Sequence, residues 1–142
     1  MISKIEKIYV LKIQKNGNLL NSLNDFVEKN KIKSGFITGL GALKKVNIGY
    51  FENKKYTEIE KDGVFEVGSC NGIISLKDEK PHIHLHIVCQ SSKGETFCGH
   101  VLNKCIVYPT LEIVIFEFND VIKRKFDDET GLFLLDKNVF EA

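Results

Sequence analysis

The spacing of apolar residues changes period twice along this chain. The opening segment KIEKIYVLKIQ, residues 4–14, is rich in strand formers and ends at the turn signal KNGN. In NLLNSLNDFVEKN, Leu19, Leu20, Leu23, Phe26 and Val27 fall at i, i+1, i+4, i+7 and i+8, which makes one apolar stripe on a helix. Asn16 or Asn18 supplies its N-cap. It is the only convincing helix of any length. From residue 34 onward the pattern is strands and turns. SGFITGLGALKKVNIGYF reads as a short strand, a glycine turn and a longer strand. KKYTEIEK, GVFEVGSCNGIISL, HIHLHIVCQ, TFCGHVLNKCIVY and TLEIVIFEF follow, separated by ENK, KDG, KDEKP, SSKGE and PT. Connections this short favour antiparallel neighbours, because a parallel crossover takes about a dozen residues or more. The tail KRKFDDETGLFLLD is mixed, a last strand and a short closing segment. No repeat, linker or low-complexity tract interrupts the pattern. The expectation is one α+β domain over residues 1–142, mainly antiparallel β-sheet flanked by helix.

Composition narrows the classes. A length of 142 residues suits one domain, and 43% apolar content with ten Phe supplies a core. Lys and Arg total 20 against 19 Asp and Glu, and Arg124 is the single arginine. Nucleic-acid binders usually carry a clear basic excess, so this balance argues against DNA binding by the whole surface. A local patch formed by Lys44, Lys45, Lys54 and Lys55 stays open. Lysines interrupt the apolar residues of the opening segment, which therefore predicts no secretory leader. The apolar runs are far short of the roughly 20 residues that span a bilayer, so no membrane partner is expected. Cys70, Cys89, Cys98 and Cys105 show no C-x-x-C spacing and read as the reduced thiols of a cytoplasmic protein.

The candidate chemistry sits in PHIHLHIV, residues 81–88. On a strand, His82, His84 and His86 share one face while Ile83, Leu85 and Ile87 line the other. The loop SSKGE predicts a hairpin returning through residues 96–107, with its turn near Ser92–Gly94, and that puts His100 almost opposite His86. Opposed side chains have Cβ atoms about 4.5–5.5 Å apart. Two strands would thus bring His84, His86 and His100 to one point. Neutral imidazole suits Zn, Cu, Fe and Ni, and three protein ligands with an open position is the usual catalytic zinc arrangement. A fourth ligand, where the ion takes one, comes from His82 or Cys98. The competing reading is a polar sheet face or a subunit-contact patch.

Two other segments invite a functional reading. TGLGALKK, residues 38–45, lacks the phosphate-loop pattern and leads into a strand, so Gly35, Gly39 and Gly41 are expected to permit tight turns or close backbone approach. Glu112 is the odd residue in the apolar strand TLEIVIFEF. It either faces the histidines, as a second partner for an imidazole N–H or a general base, or faces solvent.

The words SGFITGLGALKKVNIGYF, FEVGSCNGIIS, HLHIV, GHVL, PTLEIVIFEF and FDDETGLFLLD, in that order over nearly the whole chain, resemble the plant-and-prokaryote-conserved (PPC) domain, PD1-like and associated with DNA binding. The resemblance implies a PPC-domain-like antiparallel sheet flanked by helix, assembled as a homotrimer of the stand-alone prokaryotic type. The family's H-x-H and G-G-H patterns map onto His84, His86 and His100. Its T-x-E maps onto Thr110 and Glu112. His82 is extra to the pattern, and Cys98 replaces the first glycine of G-G-H. Members with these histidines are similar to metal binders, which implies a divalent transition metal, zinc first. The expected function is a metal-binding trimer associated with DNA or regulation. The alternative is a metal-dependent, hydrolase-type enzyme acting on a small molecule.

Overall fold

The computed structural model describes residues 1–136, 139 and 140. The elements run β1 (Ile5–Gln14), α1 (Leu19–Lys29), β2 (Gly35–Glu52), β3 (Lys55–Lys77), β4 (Lys80–Ser91), β5 (Thr96–Val101), β6 (Ile106–Phe118), β7 (Arg124–Asp127) and β8 (Leu132–Leu135). Six strands form one sheet in the order β1-β6-β2-β3-β4-β5, with every adjacent pair antiparallel. β7 and β8 make a separate two-stranded hairpin.

Local chemistry accounts for the turns. Asn53 and Lys54 close β2 onto β3, and Asp78 and Glu79 close β3 onto β4, all at positive φ. Two consecutive positive-φ residues give the twist that a tight hairpin needs. Gly94, at φ +83, serves the β4–β5 turn. Asn18 is the helix N-cap, its Oδ1 accepting the Asn21 N–H at 3.0 Å, while Asn16 sits in the preceding turn at φ 69.

Two expected breaks are absent. β2 runs without a turn through Gly39–Gly41, and β3 runs through Lys61–Gly63. The glycines of β2 serve close approach: a Cβ on Gly35, Gly39 or Gly41 would lie 2.5, 2.5 or 2.4 Å from a backbone oxygen of β6. Register shifts at Gly39/Gly41 and Leu43/Lys45 bend β2. Its first half pairs with β6 and its second half meets β5, through Ile48↔Val101 and Gly49↔His100. The sheet therefore curls until β2, β3, β4 and β5 close on one another. TFCGHVLNKCIVY divides at 102–105 into β5 and β6, and β6 continues through Pro109.

The curl leaves an inner face that α1 covers. Leu19, Leu23 and Val27 of the helix are buried with Ile37, Leu43, Ile74, Leu85, Ile87, Leu111, Ile113 and Ile115. Cys70, Cys89 and Cys105 are free thiols in this core, and Cys98 is free and exposed. Leu23 is fully buried, so Leu23→Ala should destabilise the fold by about 2–5 kcal/mol. The midpoint of urea unfolding measures it. Among the described residues no helix is long and apolar enough to cross a membrane.

Candidate metal centre

β4 presents its side chains as the alternation requires. Ile83, Leu85 and Ile87 are buried at 6%, 1% and 1% exposure, which fixes the strand's orientation and turns His82, His84 and His86 to the outer face. β5 then returns in unbroken register, with His86↔His100 and Val88↔Cys98 directly opposed. β2 holds His100 from the other side through Gly49. Glycine is required there by space. A Cβ on Gly49 would lie 2.6 Å from the Tyr56 ring, which packs on the His100 ring at 5.2 Å and 33°.

Three imidazoles converge: His84, His86 and His100 each offer a ring atom within 4.8 Å of the others. Their centroids are 5.0, 5.2 and 5.5 Å apart, and the Nε2 atoms of His84 and His86 are 3.1 Å apart. A tetrahedral ion with bonds of about 2.0–2.1 Å sets its ligand nitrogens roughly 3.4 Å apart. The His84–His86 pair is thus near ligand spacing, and the ligand atom of His100 lies within 4.8 Å of both. The Nδ1 atom of His100 is buried with no hydrogen-bond partner. Such a buried, unsatisfied atom costs about 1–3 kcal/mol, and ligation is one way to satisfy it. The donor set fits a borderline-soft divalent ion.

Electrostatics keep these rings in the ligand form. Burial pushes His84 down to about 4, assisted by the Arg124 guanidinium and then by His100 and His86. Burial lowers His86 as well. His100 is lowered by burial first, then by His86, His82 and Arg124. Neutral imidazole is the species that coordinates metal.

The remaining candidates are placed as follows. His82 lies outside the converging group and lines a neighbouring cavity with Leu20, Asn24 and Glu28. Burial, then Arg124, Lys77 and His84, pushes its ring down to about 4. Cys98 shares the histidine face and lines the same cavity of about 400 Å³ as the triad, yet is not one of the converging ligands. Glu112 is exposed on β6, opposite Leu40 and Lys12, and lines a different cavity with Val10, Thr38 and Ser69. β2 and β3 separate it from β4, so it lies roughly 14 Å from the histidine strand. Within one chain it does not reach the triad. Sequence reading missed Tyr56, Leu132 and Arg124, which the fold brings to or near this cavity. Only Arg124 carried a signal, as the single arginine in a lysine-rich chain.

The fold is an α+β domain of mainly antiparallel sheet, and comparison with known proteins agrees on that fold. The model of the Plants and Prokaryotes Conserved (PCC) domain matches residues 2–119. The chain belongs to that family. A plant- and prokaryote-conserved protein from Pyrococcus horikoshii superposes with a TM-score of 0.88 at 31% identity, covering 96% of this chain and 95% of that one. A metal-containing protein from Archaeoglobus fulgidus gives 0.87 at 27% identity, covering 96% and 97%. A candidate DNA-binding protein from Bacteroides thetaiotaomicron gives 0.89 at 28% identity, covering 96% of each. The bifunctional protein GlmU of Synechococcus sp. (strain JA-3-3Ab) is 23% identical over 128 residues, 88% of this chain. This chain spans about a fifth of that curated relative's length (20%).

Proposed function

We propose that residues 1–142 form one cytoplasmic domain that binds a divalent transition metal, zinc first, through His84, His86 and His100, and that assembles as a homotrimer. The convergence of the three ring nitrogens in one open cavity carries this reading. The metal-containing relative from Archaeoglobus fulgidus supports it. Bound there, the ion would supply a Lewis-acid position facing the cavity. The chain's own contribution is to hold the imidazoles neutral, to pack Tyr56 against His100, and to wall the cavity with Phe51 and Leu132. A cavity of about 400 Å³ suits a small-molecule ligand, and metal-assisted, hydrolase-type chemistry is the use this geometry favours. No proton-moving carboxylate lies in the converging group, so Glu112 serves only across a subunit boundary.

Assembly draws on a different surface. Ile8, Val10 and Leu40 are 58%, 81% and 57% exposed, and the register puts them on one side of the sheet with Phe36, Val114 and Phe116. Exposed apolar patches of this kind mark association surfaces. The measurement is metal content per chain with native mass on tag-free protein. The expected result is one transition-metal ion per chain in a trimer, and metal-free protein would end the reading. Chelation is expected to remove the ion and leave the trimer intact, because the apolar patch and not the histidines holds it. A trimer that dissociates on chelation would make the ion a structural staple.

A DNA-associated, regulatory role is the second reading, favoured by the candidate DNA-binding relative. Phosphate contacts by lysines would make affinity fall steeply with salt. Lys45 is already paired with Glu60 at 2.7 Å and Lys104 with Glu60 at 3.0 Å, which depletes the available positive charge. DNA affinity that is weak and unchanged between low and high salt would remove this role.

A further inference from the structure

The arginine that sequence reading passed over has an unusual setting. Arg124 opens β7, where its Nε–H donates to Ser75 Oγ at 2.7 Å and its Nη1 to the Phe133 carbonyl at 2.9 Å. Ser75 is fully buried on β3 and stands directly opposite His82 of β4. The guanidinium is thus fixed over the end of the histidine strand by one hydroxyl and one carbonyl. Every ion pair among the described residues uses a lysine, and no carboxylate meets Arg124. Guanidinium carries five N–H donors in a planar fork, and the donors left over have no acceptor among the described residues.

A half-buried cation without an anion is costly. Its own lowered pKa, caused by burial, reflects that cost. Ser75 stands opposite His82, two residues from His84 on the same strand face, and the Phe133 carbonyl follows Leu132, which lines the histidine cavity, so the guanidinium sits at that cavity's edge. Lys77, the nearest other cation along β3, is engaged over the Phe133 ring at 3.9 Å. Three neutral imidazoles add no negative charge. An ion there would leave two neighbouring positive centres with no carboxylate paired to the guanidinium among the described residues.

We infer that Arg124 is the anion-recognising group of the histidine cavity, and that the ligand is a small oxyanion, a carboxylate or a phosphate. The guanidinium fork takes two oxygens side by side, a geometry lysine does not reproduce. This deepens the proposed metal-site reading and rests on it for the ligand's second anchor. No bond is made or broken in the binding step.

A single arginine makes the test direct, since its Nε–Hε group gives one cross-peak in a nitrogen–proton NMR spectrum. Wild-type protein is titrated with inorganic phosphate and, separately, with acetate, in zinc-loaded and metal-free forms of measured zinc content. The expected result is a saturable shift of that peak, with at least tenfold tighter binding in the zinc-loaded form. Arg124→Gln is expected to weaken anion binding at least tenfold by calorimetry while zinc content is unchanged, and Arg124→Lys to restore it only in part. Whichever anion binds tighter names the ligand's source. A peak that stays still with both anions in both forms overturns the inference, as does a Gln variant that binds as tightly as wild type. Protein that retains no zinc yet shows the shift sustains the arginine subsite while ending the metal reading.

Discussion

His86→Ala is expected to abolish metal retention while leaving the fold intact. His86 is the exposed member of the triad, so truncating it opens no core cavity and costs less than about 0.5 kcal/mol of stability. Its Nε2, however, lies 3.1 Å from that of His84 and opposite His100 across the strand pair. Removing it leaves two imidazoles, and a two-ligand site has lost a direct bond to the ion. Replacing a mere outer partner of a ligand typically costs 10–100-fold in metal affinity, so loss of a ligand is expected to exceed 100-fold. The comparison that gives the result meaning is His82→Ala. His82 stands on the same strand face but outside the converging group, and its variant is expected to keep the ion. Cys98→Ser is expected to keep it too. Metal content by elemental analysis and folding by circular dichroism decide all three. An ion lost from His82→Ala, or kept by His86→Ala, would redraw the site.

How much of this was legible in the chain depended on whether the information was local. The histidine strand was, because alternation along HIHLHIV fixes which side chains face the core, and a short glycine-containing loop fixes what stands opposite. The helix and its stripe were legible for the same reason. Gly39–Gly41 and Lys61–Gly63 carry the composition of turns, yet both lie inside continuous strands. A glycine at a bulge and a glycine at a turn look alike in sequence. They differ only in the strand lying alongside, here β6 for Gly39 and Gly41. Closure of β5 onto β2 was out of reach, since Gly49 and His100 meet across about a third of the chain. Glu112 shows the same limit. Its strand face was readable, but its distance from the triad depends on β2 and β3 being inserted between. Arg124 required the β7–β8 hairpin to fold back over Ser75, which no local pattern announces.

Gly72→Ala is expected to damage stability and site together, because the position pairs directly with the histidine strand. Gly72 is buried on β3 opposite Leu85, between the pairs Asn71↔His86 and Ile73↔His84. A Cβ there would lie 2.4 Å from the His84 carbonyl oxygen, 2.8 Å from Leu85 Cδ1 and 3.1 Å from Leu85 Cα. Two of those atoms are backbone, so rotating a side chain cannot relieve the overlap. β4 must move. Overpacking of this kind costs about 1–3 kcal/mol and sometimes more, which for a domain of this size lowers the melting temperature by roughly 2–4 °C per kcal/mol. The displaced segment carries His84 and His86, so metal affinity is expected to fall with stability, at least tenfold. Gly68→Ala separates backbone overlap from the general effect of adding a methyl group. It lies on the same strand with nothing within 4 Å of its Cβ position, and both its melting temperature and its metal affinity are expected to match wild type. If Gly72→Ala melts early but binds the ion normally, the strands adjust without moving the triad. The centre would then tolerate strand displacement, and side-chain rotation alone would set its geometry.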